Sequence, residues 1–516
     1  MASFPKSTQP TTTANDPPHD FWLHLLSALT QDPDLEELRH LRFEGIDVWP
    51  IVKATSVMVA LNQRQGMYAG QQAGLARTAY RRLMGGLERL KGQFVPLKPL
   101  DAEFFCLANI APALDIDGIL INPHLDPLRT SLANRGKKTL TGYYDGKGAS
   151  GTRFALHSRL LAGSFPQIGR ALRNDVQRRL SKKLKSSNQI LDNHFKRTND
   201  TIINRIAMTV HLRKIYGDLF GRSKNLSGLF LTNYYNPHGW GAVAAAKELG
   251  VATIDVQHGV QGKHHHAYSW PELAGGLPNV VPDFFVCWTA ADKDNLDSGS
   301  STHNRSVVAG PSHFQLEALA AAEPKSDNAE LTAALANLRA KSRRAEALCR
   351  TARDRNQRIV GLFLQYREDG NWLRALRGCV PQGTELWVRR HPGVRRRGAA
   401  NGEHEIPGIT IVDEYPLAAL LHCLDLAVTG YSSVGIEAAH VGCPVLAYSP
   451  LARQFLEPYC RDAGFELTSE DPASLGSAIC NQIQKVGSRR GGAALPNLES
   501  VVDMLLSRIY GNGDNI

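Results

Sequence analysis

The chain has little from which to build covalent or metal cross-links. Its eight cysteines, at 106, 287, 349, 379, 423, 443, 460 and 480, include no C-x-x-C pair, and most sit in apolar runs. A disulfide framework and a cysteine zinc site are thus not implied, and the thiols read as reduced core residues of a cytoplasmic protein. No window approaches the roughly 18 consecutive apolar residues of a membrane span. Residues 1–18 are rich in Thr, Pro and Ser and have no apolar segment of the kind a secretory signal needs. Residues 1–19 therefore read as a disordered tail. Basic strands interleaved with aromatics are also missing, and with them the sign of a nucleic-acid surface.

What is present is length, positive charge and alternation. A chain of 516 residues with 43% hydrophobic content can form two large domains, each with its own core. A formal net charge of +10 favours anionic partners such as phosphorylated ligands or acidic membrane surfaces. The most basic amphipathic stretch is 165–197, where Ile168, Leu172, Val176, Leu180 and Leu184 recur every four residues. Arg170, Arg173, Arg178, Arg179, Lys182, Lys183 and Lys185 occupy the other faces. A solvated core-packing helix fits this pattern, and so does a surface that docks on anionic headgroups of an inner membrane.

Runs with strand character alternate with helical ones, which points to an α/β protein with parallel sheets. Residues 103–110 and 118–121 read as early strands of such a sheet. Residues 229–231, 240–249 and 251–256 form a β-α-β unit. Loops beyond the carboxyl ends of these strands carry ligands in parallel sheets. Asn236 and His238 stand in the first loop, and Gln257, His258, Gly259 and Lys263 in the second, just before His264, His265 and His266. Three adjacent histidines cannot all point at one ion, and no acidic or Cys partner stands at a ligand spacing, so no metal is expected. His258, fixed at a strand end by Gly259, is the candidate general base.

The Gly- and Pro-containing stretch 275–282 is taken as the domain boundary. It divides an N-terminal acceptor and catalytic domain, 20–275, from a C-terminal nucleotide-binding domain, 276–475. Helices in 476–516 are expected to pack back on the first domain. Residues 425–450 read as strand, tight turn, helix and strand. This puts Ser432 and Ser433 at a helix start, where unpaired N–H groups and hydroxyls suit an anion. Gly435 would let a ligand approach the backbone, and Glu437, four residues after Ser433, would accept hydrogen bonds from sugar hydroxyls. Arg390 and His391 end another strand and supply charge-assisted donors for a phosphoryl group.

Taken together, Gln257-His258-Gly259, Arg390-His391-Pro392 and Thr429-Gly430-Tyr431-Ser432-Ser433-Val434-Gly435-Ile436-Glu437-Ala438 resemble motifs of bacterial GT-B glycosyltransferases of surface polysaccharide synthesis. The resemblance covers about 229–450, and includes sialyltransferases, capsule Kdo transferases and teichoic-acid polyol-phosphate transferases. It implies two Rossmann-like domains facing a cleft, and donor phosphate bound by His391 and the Ser432-Ser433 helix start. It also implies ribose at Glu437 and a catalytic group on the first domain. No cofactor is implied beyond a nucleotide-sugar co-substrate, CMP- or UDP-linked, and the partner is a glycan or lipid-linked acceptor. A polyol-phosphate transferase, a sugar-nucleotide epimerase and a non-catalytic nucleotide-sugar-binding subunit of an assembly complex fit the same residues.

Overall fold

The computed structural model describes residues 21–64, 100–108, 114–116, 119–143, 153–155, 170–262, 264–273, 276–298, 305–322, 329–365, 368, 370–391, 406–485 and 492–511. The expected N-terminal tail, residues 165–169 of the basic stretch, Lys263 and Pro392 lie outside them.

Two parallel sheets form the framework. The first contains β1 (Phe104–Ala108), β2 (Thr139–Tyr143), β3 (Arg153–Ala155), β4 (Gly228–Leu231), β5 (Ala252–Val256), β6 (Phe284–Cys287) and β7 (Ser306–Val308). Their order across the sheet is β3-β2-β1-β4-β5-β6-β7, with every pairing parallel. The second contains β8 (Arg358–Phe363), β9 (Thr384–Arg389), β10 (Ile409–Ile411), β11 (Leu426–Thr429), β12 (Val445–Ala447) and β13 (Phe465–Leu467). Its order is β10-β9-β8-β11-β12-β13, again all parallel. Both sheets begin at a central strand, add two on one side, then return to fill the other. This is the doubly wound Rossmann order, and the two domains have the GT-B-like arrangement. Central strands such as β1 and β4 are buried along their whole length, as parallel strands covered by helices on both faces must be.

The domain boundary is corrected by this topology. β6 and β7, assigned above to the second domain, belong to the first sheet, where β6 pairs with β5 and β7 with β6. The connection at 276–282 is part of the first core. Val280 and Val281 are fully buried, and Asn279 exchanges hydrogen bonds with Asp47 at 2.7 and 3.0 Å. Gly and Pro mark a loop but do not determine which sheet its next strand joins, and the passage between sheets comes after Val308. Residues 119–121 are likewise not a strand of the main sheet, since they pair antiparallel with 114–116 in a separate hairpin.

The helices used below are α1 (Phe21–Gln31), α2 (Trp49–Arg64), α3 (Asp126–Asn134), α4 (Arg170–Leu180), α5 (Gln189–Gly221), α6 (Pro237–Glu248), α7 (Ser312–Ala321), α8 (Ala329–Asp354), α9 (Gly370–Cys379), α10 (Val434–His440), α11 (Pro472–Lys485) and α12 (Leu498–Gly511). Of the expected C-terminal helices, α11 stays on the second domain beside α9, while α12 packs on α3 and β7 of the first. Arg135 at the end of α3 holds α12 by ion pairs to Glu499 and Asp503. In the basic stretch Val176, Leu180 and Leu184 are buried. Arg173 pairs with Asp200, Arg178 and Arg179 with Asp175, and Lys183 with Glu37.

One ionic contact lies inside the first core. Lys53 on α2 meets Glu272 at 2.6 Å, with both side chains 1% exposed. Lys53 also donates to the Ser269 carbonyl and lies over the Trp270 ring, while Trp49 Nε1 donates to Glu272. This ties α2 to the segment that carries His265 and His266. Lys53→Met strands a buried carboxylate and is expected to destabilise the protein by about 3–5 kcal/mol in urea titrations. Lys53→Met with Glu272→Leu should recover most of that loss, because no unpaired charge then remains.

Candidate functional site

In each sheet the order reverses between the first and fourth strands, and ligands bind outside the carboxyl ends of strands at such a point. In the first domain that place lies between β1 and β4. The loop after β4 carries Tyr235, and the loop after β5 carries His258. Tyr235 Oη lies 3.3 Å from His258 Nε2, with the rings stacked at 5.9 Å. Tyr235 also meets the edges of His265 and His266 at 5.2 and 5.6 Å.

Several expected contact residues are occupied in building these loops. Asn236 caps α6, its Oδ1 accepting from the amides of His238 and Gly239. His238 is buried, with Nδ1 3.1 Å from Tyr216 Oη. Gln257 is fully buried. Its Nε2 donates to the Gly259 carbonyl, and its Oε1 accepts from the Trp288 amide, which ties the end of β5 to the end of β6. These side chains are engaged in positioning the loops, and the Gly259 carbonyl accepts from Gln257. A side chain at Gly239 would meet the Tyr234 carbonyl at 2.3 Å, so glycine is required where the loop folds back on α6.

Two further histidines complete the cluster. The side chain of Asn122 accepts from the amides of His124 and Leu125, and Asp126 accepts from the Asn122 amide. This turn buries His124 with its ring edge against His258, centroids 6.2 Å apart. On its other side His124 meets His313, at 5.6 Å. His313 Nδ1 is 3.2 Å from Oε1 of Glu437 on α10 of the second domain. Rings from three segments distant in sequence therefore form a continuous row from one domain to the other. Nothing in the sequence around His313 singles it out.

In the second domain the switch point lies between β8 and β11. Thr429 ends β11 and, in register, sits beside Phe363, which sits beside Arg389 of β9. Ser432-Ser433 and His391 thus leave the same edge, with β8 between their strands, a backbone separation of roughly 10 Å. Both serines and His391 are partly exposed. Ser432 Oγ accepts from the Val434 amide, and Ser433 makes no capping bond with its side chain. The amides of Gly435, Ile436 and Glu437 are taken by the carbonyls of Ser432 and Ser433, which differs from the open helix start expected. The partly exposed hydroxyl of Ser433 is the side-chain donor this turn leaves without a capping bond.

Three more expectations change. Gly435 is buried against Leu456 and Val445, so its missing side chain serves packing. Arg390 Nε is 2.6 Å from Asp413, whose other oxygen accepts the Arg390 amide, so much of its charge is answered locally. Glu437 is 1% exposed and engaged with His313, and its Oε2 is buried without a partner.

Burial governs the electrostatics. It lowers His258 to about 4 and His266 to about 3, and holds His265 well below the ordinary value. His124 is held well below it too, by burial first and then by His313 and His258. The rings are neutral at neutral pH, each with one N–H and one lone pair. Nδ1 of His124 and of His258 is buried with no partner. Such rings offer hydrogen-bonding nitrogens without fixed charge at neutral pH. Among the described residues no group of three or more His, Cys, Asp or Glu has metal-holding geometry. A cavity of about 950 Å³ is lined by Phe314, Glu317, Arg339, His422 and His440, and none of the residues expected from the motifs lines it.

No family model matches the chain, and neither does any curated protein. Solved structures do. UDP-GlcNAc 2-epimerase from Neisseria meningitidis, bound to UDP-GlcNAc, is 12% identical over 78% of this chain and 99% of its own, with a TM-score of 0.46. A putative UDP-N-acetylglucosamine 2-epimerase from Listeria monocytogenes is 12% identical over 80% and 98%, with a TM-score of 0.46. The wall teichoic acid polymerase TagF is 10% identical over 85% and 97%, with a TM-score of 0.42. These are proteins the chain is similar to, and the fold is read from its own strand order.

Neutral buried histidines predict the direction of pH sensitivity. Unfolded His266 takes up a proton below about pH 6.5, whereas the folded residue resists until about pH 3, so this residue subtracts stability as pH falls through that window. At pH 5 the loss from this residue is about 2 kcal/mol. His266→Gln should therefore show a smaller drop in thermal midpoint between neutral pH and pH 5 than wild type.

Proposed function

We propose that this protein is a glycosyltransferase that moves a sugar from a nucleotide-sugar donor to a growing surface glycan such as a capsule or O-antigen. The observation that supports this reading is that two doubly wound sheets each carry candidate residues at their carboxyl edges, with His313 at the passage between domains touching Glu437 of the second. Neutral imidazoles line one wall, and Ser432, Ser433 and His391 stand at the strand ends of the other. The donor's phosphates lie against the hydroxyls and His391, with Arg390 adding positive potential behind its pair with Asp413. The sugar reaches toward His258 and its neighbours, where an imidazole takes the acceptor's proton. Closure of the two domains excludes water from the transfer.

Peripheral contact of 165–197 with an anionic inner-membrane surface is the corresponding proposal for location. Among the described residues no helix is long and apolar enough to cross a membrane. Lys182 and Lys185 are exposed beside α4, and together with Arg178 and Arg179 they form the face that would meet headgroups. Wild type should co-sediment with phosphatidylglycerol vesicles and not with phosphatidylcholine ones, and Ala at these four positions should abolish the difference.

A thermal-shift panel of CMP, CDP, UDP and GDP tests the main reading. A nucleotide at a thousandfold excess over its dissociation constant should stabilise wild type by about 4 kcal/mol. His391→Ala and Ser433→Ala should lose most of that gain. No shift with any nucleotide would remove the reading. Turnover of UDP-GlcNAc without acceptor would identify an epimerase instead, and transfer of glycerol phosphate from CDP-glycerol a polyol-phosphate transferase. Binding without turnover would leave a nucleotide-sugar-binding subunit.

A further inference from the structure

The passage from the first sheet to the second ends in Gly310-Pro311-Ser312-His313, and His313 opens α7. It is the point where the two walls of the cleft touch through side chains able to exchange a proton. Its partner Glu437 is 1% exposed, while the His313 side chain is 21% exposed. In an ion pair that served the core alone, both members would be enclosed. Here the carboxylate is enclosed and the imidazole is partly open to solvent, with its ring against His124. Glu437 Oε1 faces Nδ1 of His313, and a carboxylate there selects the tautomer with the proton on Nδ1. Nε2 is left with its lone pair.

We propose that Glu437 and His313 form the proton-accepting pair of this cleft, with His313 Nε2 as the base and Glu437 as the residue that positions it. This rests on the glycosyltransferase reading and says which imidazole does the work. In the transfer the acceptor O–H bond breaks and its oxygen bonds to the anomeric carbon. The bond from that carbon to the donor's phosphate oxygen breaks, and the nucleotide leaves with the electron pair. The proton moves to Nε2, the imidazolium is balanced by Glu437, and the proton then passes to solvent. His258 has a different task. Burial lowers it to about 4, so at neutral pH the protonated ring is disfavoured about a thousandfold. It serves as a neutral hydrogen-bonding group beside Tyr235.

The groups facing His313 are Glu437 from α10, His124 from the turn before α3, and Glu317 one turn along α7. Behind them stand His258 and His440. Of these, Glu437 is the group hydrogen-bonded to the ring, and its Oε2 is buried with no other partner. That contact fixes the orientation of the His313 ring.

The experiment measures nucleotide release by the full chain from UDP-GlcNAc, CMP-N-acetylneuraminate, GDP-mannose and CDP-glycerol, as a function of pH. His313→Ala is expected to lower kcat roughly 100-fold with little change in donor KM, and added imidazole should restore a tenfold part of it. The isosteric Glu437→Gln should lower kcat about tenfold and move the acid limb of the kcat profile to lower pH. Thermal midpoints near wild type, or imidazole rescue where His313→Ala is less stable, separate these effects from misfolding. Full activity in His313→Ala, or a loss without rescue and with an unmoved pH limb in Glu437→Gln, overturns the pair while leaving the transferase reading intact. No nucleotide effect on wild type in the thermal panel, with no turnover of any donor, overturns both.

Discussion

When all strands of a sheet run the same way, every loop that follows a strand leaves from one edge. Both sheets of this protein obey that constraint, and the rest of its candidate chemistry depends on it. β5 can present His258, β7 can lead into His313, and β11 can lead into Ser432 and Ser433 only at the carboxyl edges. Those edges face each other because the chain passes between domains through α7, whose first turn reaches Glu437 while its later turns pack beside α3 and α8. Elsewhere the domains meet through Trp22 stacked on Phe455 at 5.3 Å and through Tyr459, which donates to the Gln261 carbonyl. These contacts hold the cleft in register without filling it.

Burial is the second determinant of the site. Four imidazoles, those of His124, His258, His265 and His266, lie close enough together that protonating several at once would set like charges side by side in a poorly solvated place. Burial keeps them neutral, so the first wall offers directed hydrogen bonds without fixed charge. The second wall offers hydroxyls, His391 and the buried carboxylate of Glu437.

Much of this was legible in the residues. Alternating apolar runs gave the parallel sheets, and the motifs around His258, His391 and Ser432 marked strand ends that do lie at carboxyl edges. The errors share a cause. A Gly- and Pro-containing stretch looked like a domain boundary, yet Asn279, Val280 and Val281 bind it into the first core, because pairing partners are chosen by contacts far away in sequence. Gln257, Asn236, His238 and Gly435 looked like ligand contacts since polar residues and glycines in loops serve support and binding alike, and only their hydrogen bonds and neighbours tell which. His313 lay in an unremarked stretch. Its partner is 124 residues away, a separation no local spacing can signal.

By itself the sequence determined the class of fold and the edge at which each motif would emerge. Periodicity, turn chemistry and net charge are local or summed properties of the chain, and need no knowledge of what packs where. Tertiary structure decided which domain owns β6 and β7, which imidazoles are buried into neutrality, and that Glu437 faces His313. Those outcomes depend on distance and desolvation, which exist only once distant segments have closed around one another.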